Sequence, residues 1–220
     1  VKSLATVTVI RRWAERPSSA DPAAPLAPRR VGGVGIVAIA TSTGGPAALH
    51  RILSELPKGF AVPILVVQHI ALGFGQGFAD WLDAASPLRV KIAANGERLE
   101  PGVVYISPDD FHLGVSDTQT VLTSSRPPVA GFRPSGTFLF QTVSDVFGAK
   151  AAGVILTGMG TDGLDGLRVL KSRGGLVVAQ DEASSVVYGM NAAAIEARVA
   201  DEVVSLEDMA PRLQSLVGGS

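Results

Sequence analysis

The sequence predicts an α/β fold: a Rossmann-like, three-layer arrangement in which a mostly parallel, doubly wound sheet is flanked by helices, with a small antiparallel β element in the middle of the chain. Three observations predict it. From Val34 onward, short apolar runs alternate with helix-like stretches. The runs are continuously apolar, the pattern of strands buried on both faces. Between about Val90 and Leu122 the strand-like runs shorten and are separated by Pro, Gly and Asp turns.

Residues 34–40, rich in Val and Ile, read as the first strand. Residues 47–56 read as the first helix, entered through Pro46, whose missing N–H costs nothing at the first helical position and whose φ is already helical. Residues 64–68, Ile-Leu-Val-Val-Gln, form the next strand, and a helix is expected near 77–84. Three short strands, 103–106, 113–115 and 121–123, make up the middle. A helix near 137–148 restores the alternation, followed by strand 153–156, helix 162–172, strand 176–179, helix 192–198, strand 202–205 and a last helix at 209–217. Before all of these, residues 17–30 carry four prolines and no apolar period, as an extended linker does. The first residue is Val rather than Met, so the opening segment is expected to belong to something upstream.

A chain of 220 residues accommodates one domain with a tail. With 46% hydrophobic and 18% charged residues it is expected to fold rather than remain disordered. A formal charge of −1 offers no footprint for nucleic acid or for an anionic membrane surface. There is no cysteine, which excludes disulfides and thiolate chemistry and agrees with a reducing compartment. The histidines, His50, His69 and His112, are not paired at metal-ligand spacing, so neither a metal nor another cofactor is expected. No run approaches the ~18 apolar residues of a membrane span, and the N-terminus lacks the features of a signal peptide. The cytoplasm is the expected setting.

Ser42, in Thr41-Ser42-Thr43-Gly44-Gly45-Pro46, presents a hydroxyl at a tight turn between the first strand and the first helix, whose N-terminus aims free N–H groups back at it. His69 follows the strand at 64–68, and Asp162 follows the strand at 153–156 after a short glycine-flanked turn. In open α/β sheets, ligands bind outside the carboxyl ends of the strands. Serine, histidine and acid would therefore face one crevice, the arrangement of a hydrolase triad. Serine is a weak nucleophile near neutral pH and needs an imidazole to take its proton, and a carboxylate on the far ring nitrogen fixes the tautomer. The backbone N–H groups of Thr43 and Met159 are the candidate oxyanion donors.

Each residue also has a plainer reading. The Ser-Thr-Gly-Gly turn could bind a phosphate or simply turn the chain, although it lacks the Lys-Ser/Thr ending of a P-loop and the spacing of a dinucleotide site. Asp162 is a natural helix N-cap, with Asp165 a competing acid. His112 is the rival base, His50 is expected to pack, and Asp109 and Asp110 read as turn residues. The run from Gln180 to Ser185 follows a strand end and is a candidate crevice wall. A non-catalytic docking, phosphate-binding or nucleotide-binding module is thus the alternative to an enzyme.

Five segments resemble the CheB family of chemotaxis protein-glutamate methylesterases: Ala40-Thr41-Ser42-Thr43-Gly44-Gly45-Pro46, Val67-Gln68-His69, the run from Leu99 to Pro108, the run from Leu156 to Gly163, and the run from Ala179 to Met190. They span roughly 34–204 in the family's order. The resemblance implies a serine hydrolase that cleaves glutamyl methyl esters on chemoreceptor cytoplasmic helices, releasing methanol, often with deamidation of receptor glutamines. It implies Ser42 as nucleophile, His69 as base, Asp162 as acid, and the N–H groups of Thr43 and Met159 as oxyanion donors. It also implies an upstream receiver domain, phosphorylated by a histidine kinase. On that basis residues 1–32 are expected to be a linker and receiver remnant, and 33–220 the catalytic domain. One stretch departs. Where the family usually reads His-Arg-Pro-Ser-Val-Asp, this chain reads Phe132-Arg133-Pro134-Ser135-Gly136-Thr137. The change leaves the triad residues untouched and is expected to alter a surface near the crevice, bearing on receptor recognition more than on ester chemistry.

Overall fold

The computed structural model describes residues 33–116 and 120–218; the linker expected within 1–32 lies outside them. In chain order the elements are β1 (Ile36–Thr41), α1 (Gly45–Glu55), β2 (Ile64–Gln68), α2 (Gly75–Ala85), β3 (Arg89–Ile92), β4 (Val103–Ile106), β5 (His112–Val115), β6 (Val121–Ser124), α3 (Gly136–Phe147), β7 (Ala151–Ile155), α4 (Leu164–Ser172), β8 (Leu176–Gln180), α5 (Met190–Glu196), β9 (Glu202–Val204) and α6 (Leu206–Val217). Seven strands form one parallel sheet in the order β3-β4-β2-β1-β7-β8-β9, and β5 and β6 pair antiparallel as a separate hairpin. The chain leaves β1 toward β2 on one side and later returns to β7 on the other. The switch point of the sheet, where open α/β folds hold their ligands, is therefore at the carboxyl ends of β1 and β7.

Side-chain parity divides the core in two. Val37, Ile39, Ile64, Val66, Val154 and Val178 face α1, α2 and α6, whose buried Leu49, Ile52, Leu82 and Leu213 complete that layer. Ala38, Ala40, Leu65, Val67, Ile155 and Val177 face the layer of Leu139, Phe140 and Val143 of α3, Leu167 and Leu170 of α4, and Met190 of α5. Every residue of β1, β2, β4, β7 and β8 is buried, as continuous apolar runs require.

The middle of the chain differs from its sequence reading in one respect. The strand at 103–106 is not part of the antiparallel element: β4 pairs in parallel with both β2 and β3. β3 itself escapes the reading because it is an edge strand, with Arg89 exposed and Lys91 half-buried between its apolar residues. Several helix starts also shift, each for a local reason. α6 begins at Leu206 because the Ser205 hydroxyl accepts the backbone N–H of Asp208, a cap contributing about 1 kcal/mol. α4 begins at Leu164 rather than 162, entered through left-handed Gly163. Among the described residues no helix is long and apolar enough to cross a membrane.

Candidate active site

Ser42 is the first residue after β1, and His69 is the first after β2. Thr41 and Gln68 are register partners, and the His69 N–H donates to the Thr41 carbonyl at 3.0 Å. The backbones at Ser42 and His69 thus run one inter-strand spacing apart, about 4.8 Å. Parity turns both toward the face covered by α3 and α4. The turn that follows Ser42 closes through Gly45 N–H to the Ser42 carbonyl at 2.9 Å. Gly44, at φ 84°, takes a left-handed conformation that disfavours a side chain.

Asp162 reaches this point from the loop after β7. Its Oδ2 lies 2.9 Å from His69 Nε2, and the carboxylate is otherwise enclosed by donors. Oδ1 accepts from the Ser135 hydroxyl at 2.8 Å and the Thr137 N–H at 3.2 Å, and Oδ2 accepts also from the Gly136 N–H at 2.7 Å. Burial raises the pKa of this carboxyl, but the bonds from His69, Gly136, Ser135 and Thr137 outweigh it, and the net result is a pKa below the usual carboxylate range. Asp162 therefore does not cap its own helix. With Ser135 as the N-cap of α3, Asp162 accepts the next two N–H groups, at the positive end of that helix's dipole.

An ionised Asp162 can only accept, so His69 Nε2 carries the proton and Nδ1 of the neutral ring keeps the lone pair. Nδ1 is buried and has no hydrogen-bond partner among the described residues. Among the described residues the Ser42 hydroxyl makes no hydrogen bond within the protein, and none joins it to His69.

A buried amide ties the two strand ends together. Gln68 Nε2 donates to the carbonyls of Ser42 at 2.9 Å and His69 at 2.8 Å. On the other side of β1, the Thr157 carbonyl accepts from Ser42 N–H at 3.0 Å and from the Thr41 hydroxyl at 2.9 Å. The Thr157 hydroxyl donates to the Thr43 carbonyl at 2.9 Å and accepts from Val187 N–H at 2.9 Å. The Gln180 Oε1 accepts from Thr157 N–H at 2.9 Å, so the loop after β8 is bonded into the same network.

Gly158 abuts the serine. A Cβ added there would stand 2.8 Å from Ser42 Cβ and 3.0 Å from Ser42 N. Met159, next in sequence, has an exposed side chain. Among the described residues, no hydrogen bond within the protein engages the N–H of Thr43 or of Met159. Two free donors thus lie in the segments that meet at Ser42.

The remaining candidates fall elsewhere. Asp165 is on the exposed side of α4 beside Arg168. His112 is fully buried, stacked on Phe138 at 4.6 Å between ring centroids, with Nε2 3.2 Å from the Pro127 carbonyl. His50 stacks on Trp81. Asp109 and Asp110 tie loops together: Asp109 accepts the Gly73 N–H at 2.7 Å, and Asp110 accepts the Arg133 guanidinium. The altered run 132–137, expected from the sequence to change a surface near the crevice, lies against the candidate triad residues themselves. Phe132 stacks on His69, and Ser135, Gly136 and Thr137 hold Asp162. Sequence reasoning missed Gln68, Phe132 and Ser135 as parts of the site. The signal for Gln68 was a lone amide ending an apolar strand; for Phe132 it was the departure from the family pattern.

The CheB methylesterase family model matches residues 37–213, a span that includes all of these segments. This chain belongs to the CheB methylesterase family. Among its relatives is the protein-glutamate methylesterase/protein-glutamine glutaminase 4 of Myxococcus xanthus, 53% identical over 100% of this chain and 63% of that protein. Another is the protein-glutamate methylesterase/protein-glutamine glutaminase 3 of Anaeromyxobacter dehalogenans, 52% identical over 97% of this chain and 62% of that protein. The chain thus spans 62–63% of the length of these relatives. The crystal structure of the Thermotoga maritima CheB methylesterase catalytic domain superposes with a TM-score of 0.81 at 41% identity, covering 85% of this chain and 100% of that one.

Proposed function

We propose that residues 33–220 are the catalytic domain of a protein-glutamate methylesterase, with Ser42, His69 and Asp162 as its triad and the N–H groups of Thr43 and Met159 as its oxyanion hole. The observation that carries the reading is the geometry at His69: Nε2 lies 2.9 Å from a carboxylate that can only accept, and Nδ1 is buried with no hydrogen-bond partner among the described residues. A phosphate or nucleotide site has no use for a histidine held in one tautomer by a buried carboxylate.

In the first half-reaction Ser42 Oγ attacks the glutamyl ester carbonyl while His69 Nδ1 takes its proton. The carbonyl oxygen becomes an oxyanion bound by the two free N–H groups, each donor typically lowering the barrier by ~3 to 4 kcal/mol. Collapse breaks the bond to methoxide, which takes the proton from His69 and leaves as methanol. A water then gives a proton to Nδ1 and attacks the acyl-serine, and the proton returns to Ser42 Oγ as glutamate is released. A glutamine side chain would follow the same course with ammonia leaving, which is the proposed second activity. The proposed substrate is a methylated chemoreceptor helix, with a receiver domain and its kinase as upstream partners, and the cytoplasm as the compartment in which those helices lie. Residues 1–32 are proposed as linker and receiver remnant.

Ser42→Ala tests the reading. Methanol release from methylated receptor is expected to fall by several orders of magnitude with thermal unfolding unchanged. Undiminished release overturns the triad, and receptor binding without release by the wild-type chain favours a docking module.

A further inference from the structure

Phe132 touches the proposed base directly, yet no step above uses it. Its ring and that of His69 are stacked with centroids 4.4 Å apart and planes inclined by 10°. The His69 side chain is only 13% exposed. What holds Phe132 there is unusually firm. Val129 and Phe132 exchange two backbone hydrogen bonds, at 3.0 and 2.9 Å, around Ala130 at φ 49° and Gly131 at φ 87°. Two successive left-handed residues make a tight turn of the hairpin type between Val129 and Phe132, which pair as an isolated antiparallel bridge. A non-glycine residue keeps that conformation only where its surroundings over-determine it.

The next residue pins the turn. Arg133 Nε and Nη2 donate to Asp110 Oδ1 at 2.9 and 2.7 Å, and Nη1 donates to the carbonyls of Ser125 at 3.0 Å and Arg126 at 3.2 Å. Two residues further on, Ser135 caps α3 and bonds Asp162. The segment 129–135 is therefore anchored through Asp110 at one point and through the proposed catalytic acid at another.

We propose that Phe132 is a positioning residue for His69, and that the hairpin turn at 129–132 with its Arg133 anchor exists to hold an aromatic face against the imidazole. The inference rests on His69 being the base of the esterase proposed above. A single bond from Nε2 to Asp162 leaves the ring free to pivot about that bond, which swings Nδ1 away from the Ser42 hydroxyl. A flat ring against one face removes the pivot and excludes water from that face. The same ring presents its negative π face to the positive charge that His69 acquires as Ser42 attacks, and so acts in the transition state more than in substrate binding.

Phe132→Leu keeps an apolar cover and removes the flat π face; Phe132→Tyr keeps both. In Phe132→Leu, kcat for methanol release is expected to fall about 2- to 30-fold, the range of a cation–π contact, with KM nearly unchanged. Phe132→Tyr is expected to restore kcat. By NMR, the His69 ring protons should show an upfield ring-current shift in wild type and Phe132→Tyr that is lost in Phe132→Leu, a readout that needs no turnover. Arg133→Gln, which loosens the anchor without touching either ring, should lower kcat in the same direction and diminish the same shift. An unchanged kcat in Phe132→Leu, or a loss confined to KM, overturns the inference while leaving the esterase reading intact. Undiminished turnover in Ser42→Ala overturns the triad reading instead.

Discussion

Asp162→Asn is a nearly isosteric change with two separable effects. The carboxylate faces four donors: the Ser135 hydroxyl, the N–H groups of Gly136 and Thr137, and His69 Nε2. An amide has one oxygen to accept with, and its NH2 must oppose the rest. With the oxygen in the Oδ1 position, Ser135 and Thr137 keep their acceptor, and the NH2 faces Gly136 N–H and His69. His69 then lowers its energy by moving its proton to Nδ1 so that Nε2 accepts, which leaves the ring unable to take a proton from Ser42. A triad held in the wrong tautomer loses ~10⁴ in kcat in the serine protease for which this change has been made, a barrier increase of about 5.5 kcal/mol. Separately, Gly136 N–H is left buried against another donor, which costs about 1–3 kcal/mol of folding stability. Methanol release and urea unfolding on the same preparation separate the two. A folded Asp162→Asn variant that retains activity within tenfold of wild type refutes the tautomer argument.

Gly158→Ala is expected to lower kcat by about a hundredfold, because its Cβ, besides crowding Met190 Sδ, would stand 2.8 Å from Ser42 Cβ and displace the proposed nucleophile; steady-state kinetics on variant and parent decide it. Gln68→Met leaves the His69 carbonyl without its 2.8 Å donor, and chemical denaturation should show a loss of about 1–3 kcal/mol. Stability should also depend on acid through Asp162. Its folded pKa lies below the ordinary value of 3.8, so the stabilisation it supplies is complete above that value and is lost as pH falls through the folded pKa below it. Urea midpoints across that interval should drop more steeply in wild type than in Asp162→Asn.

Most of the layered architecture was legible because a strand buried on both faces has to be written in uninterrupted apolar residues, as Ile64 to Val67 are. β3 was not legible, because an edge strand accepts Arg89 and Lys91 among its apolar residues, and that pattern does not separate it from a loop. Ser42, His69 and Asp162 stood out because each is polar and follows an apolar run. Gln68 and Phe132 did not stand out. A buried amide that bridges two carbonyls and a ring that lies against an imidazole are relations between segments, and the local marks they leave, a lone amide ending an apolar strand and a departure from the family pattern, do not disclose the partner. Asp162 was legible as a cap, but the helix it serves begins 26 residues earlier, a separation no local pattern encodes.

That last arrangement bears on how the chain's descendants should be read. Asp162 secures the start of α3 whether or not Ser42 ever meets an ester, so a copy that had abandoned hydrolysis would still be under pressure to keep it. Ser42, whose hydroxyl bonds to nothing among the described residues, carries no such second duty. In a lineage drifting toward a silent, purely regulatory role, the serine is free to vanish first while the aspartate lingers as a fossil. Retention of the acid is thus poor testimony to activity, and the residue at 42 is the better witness.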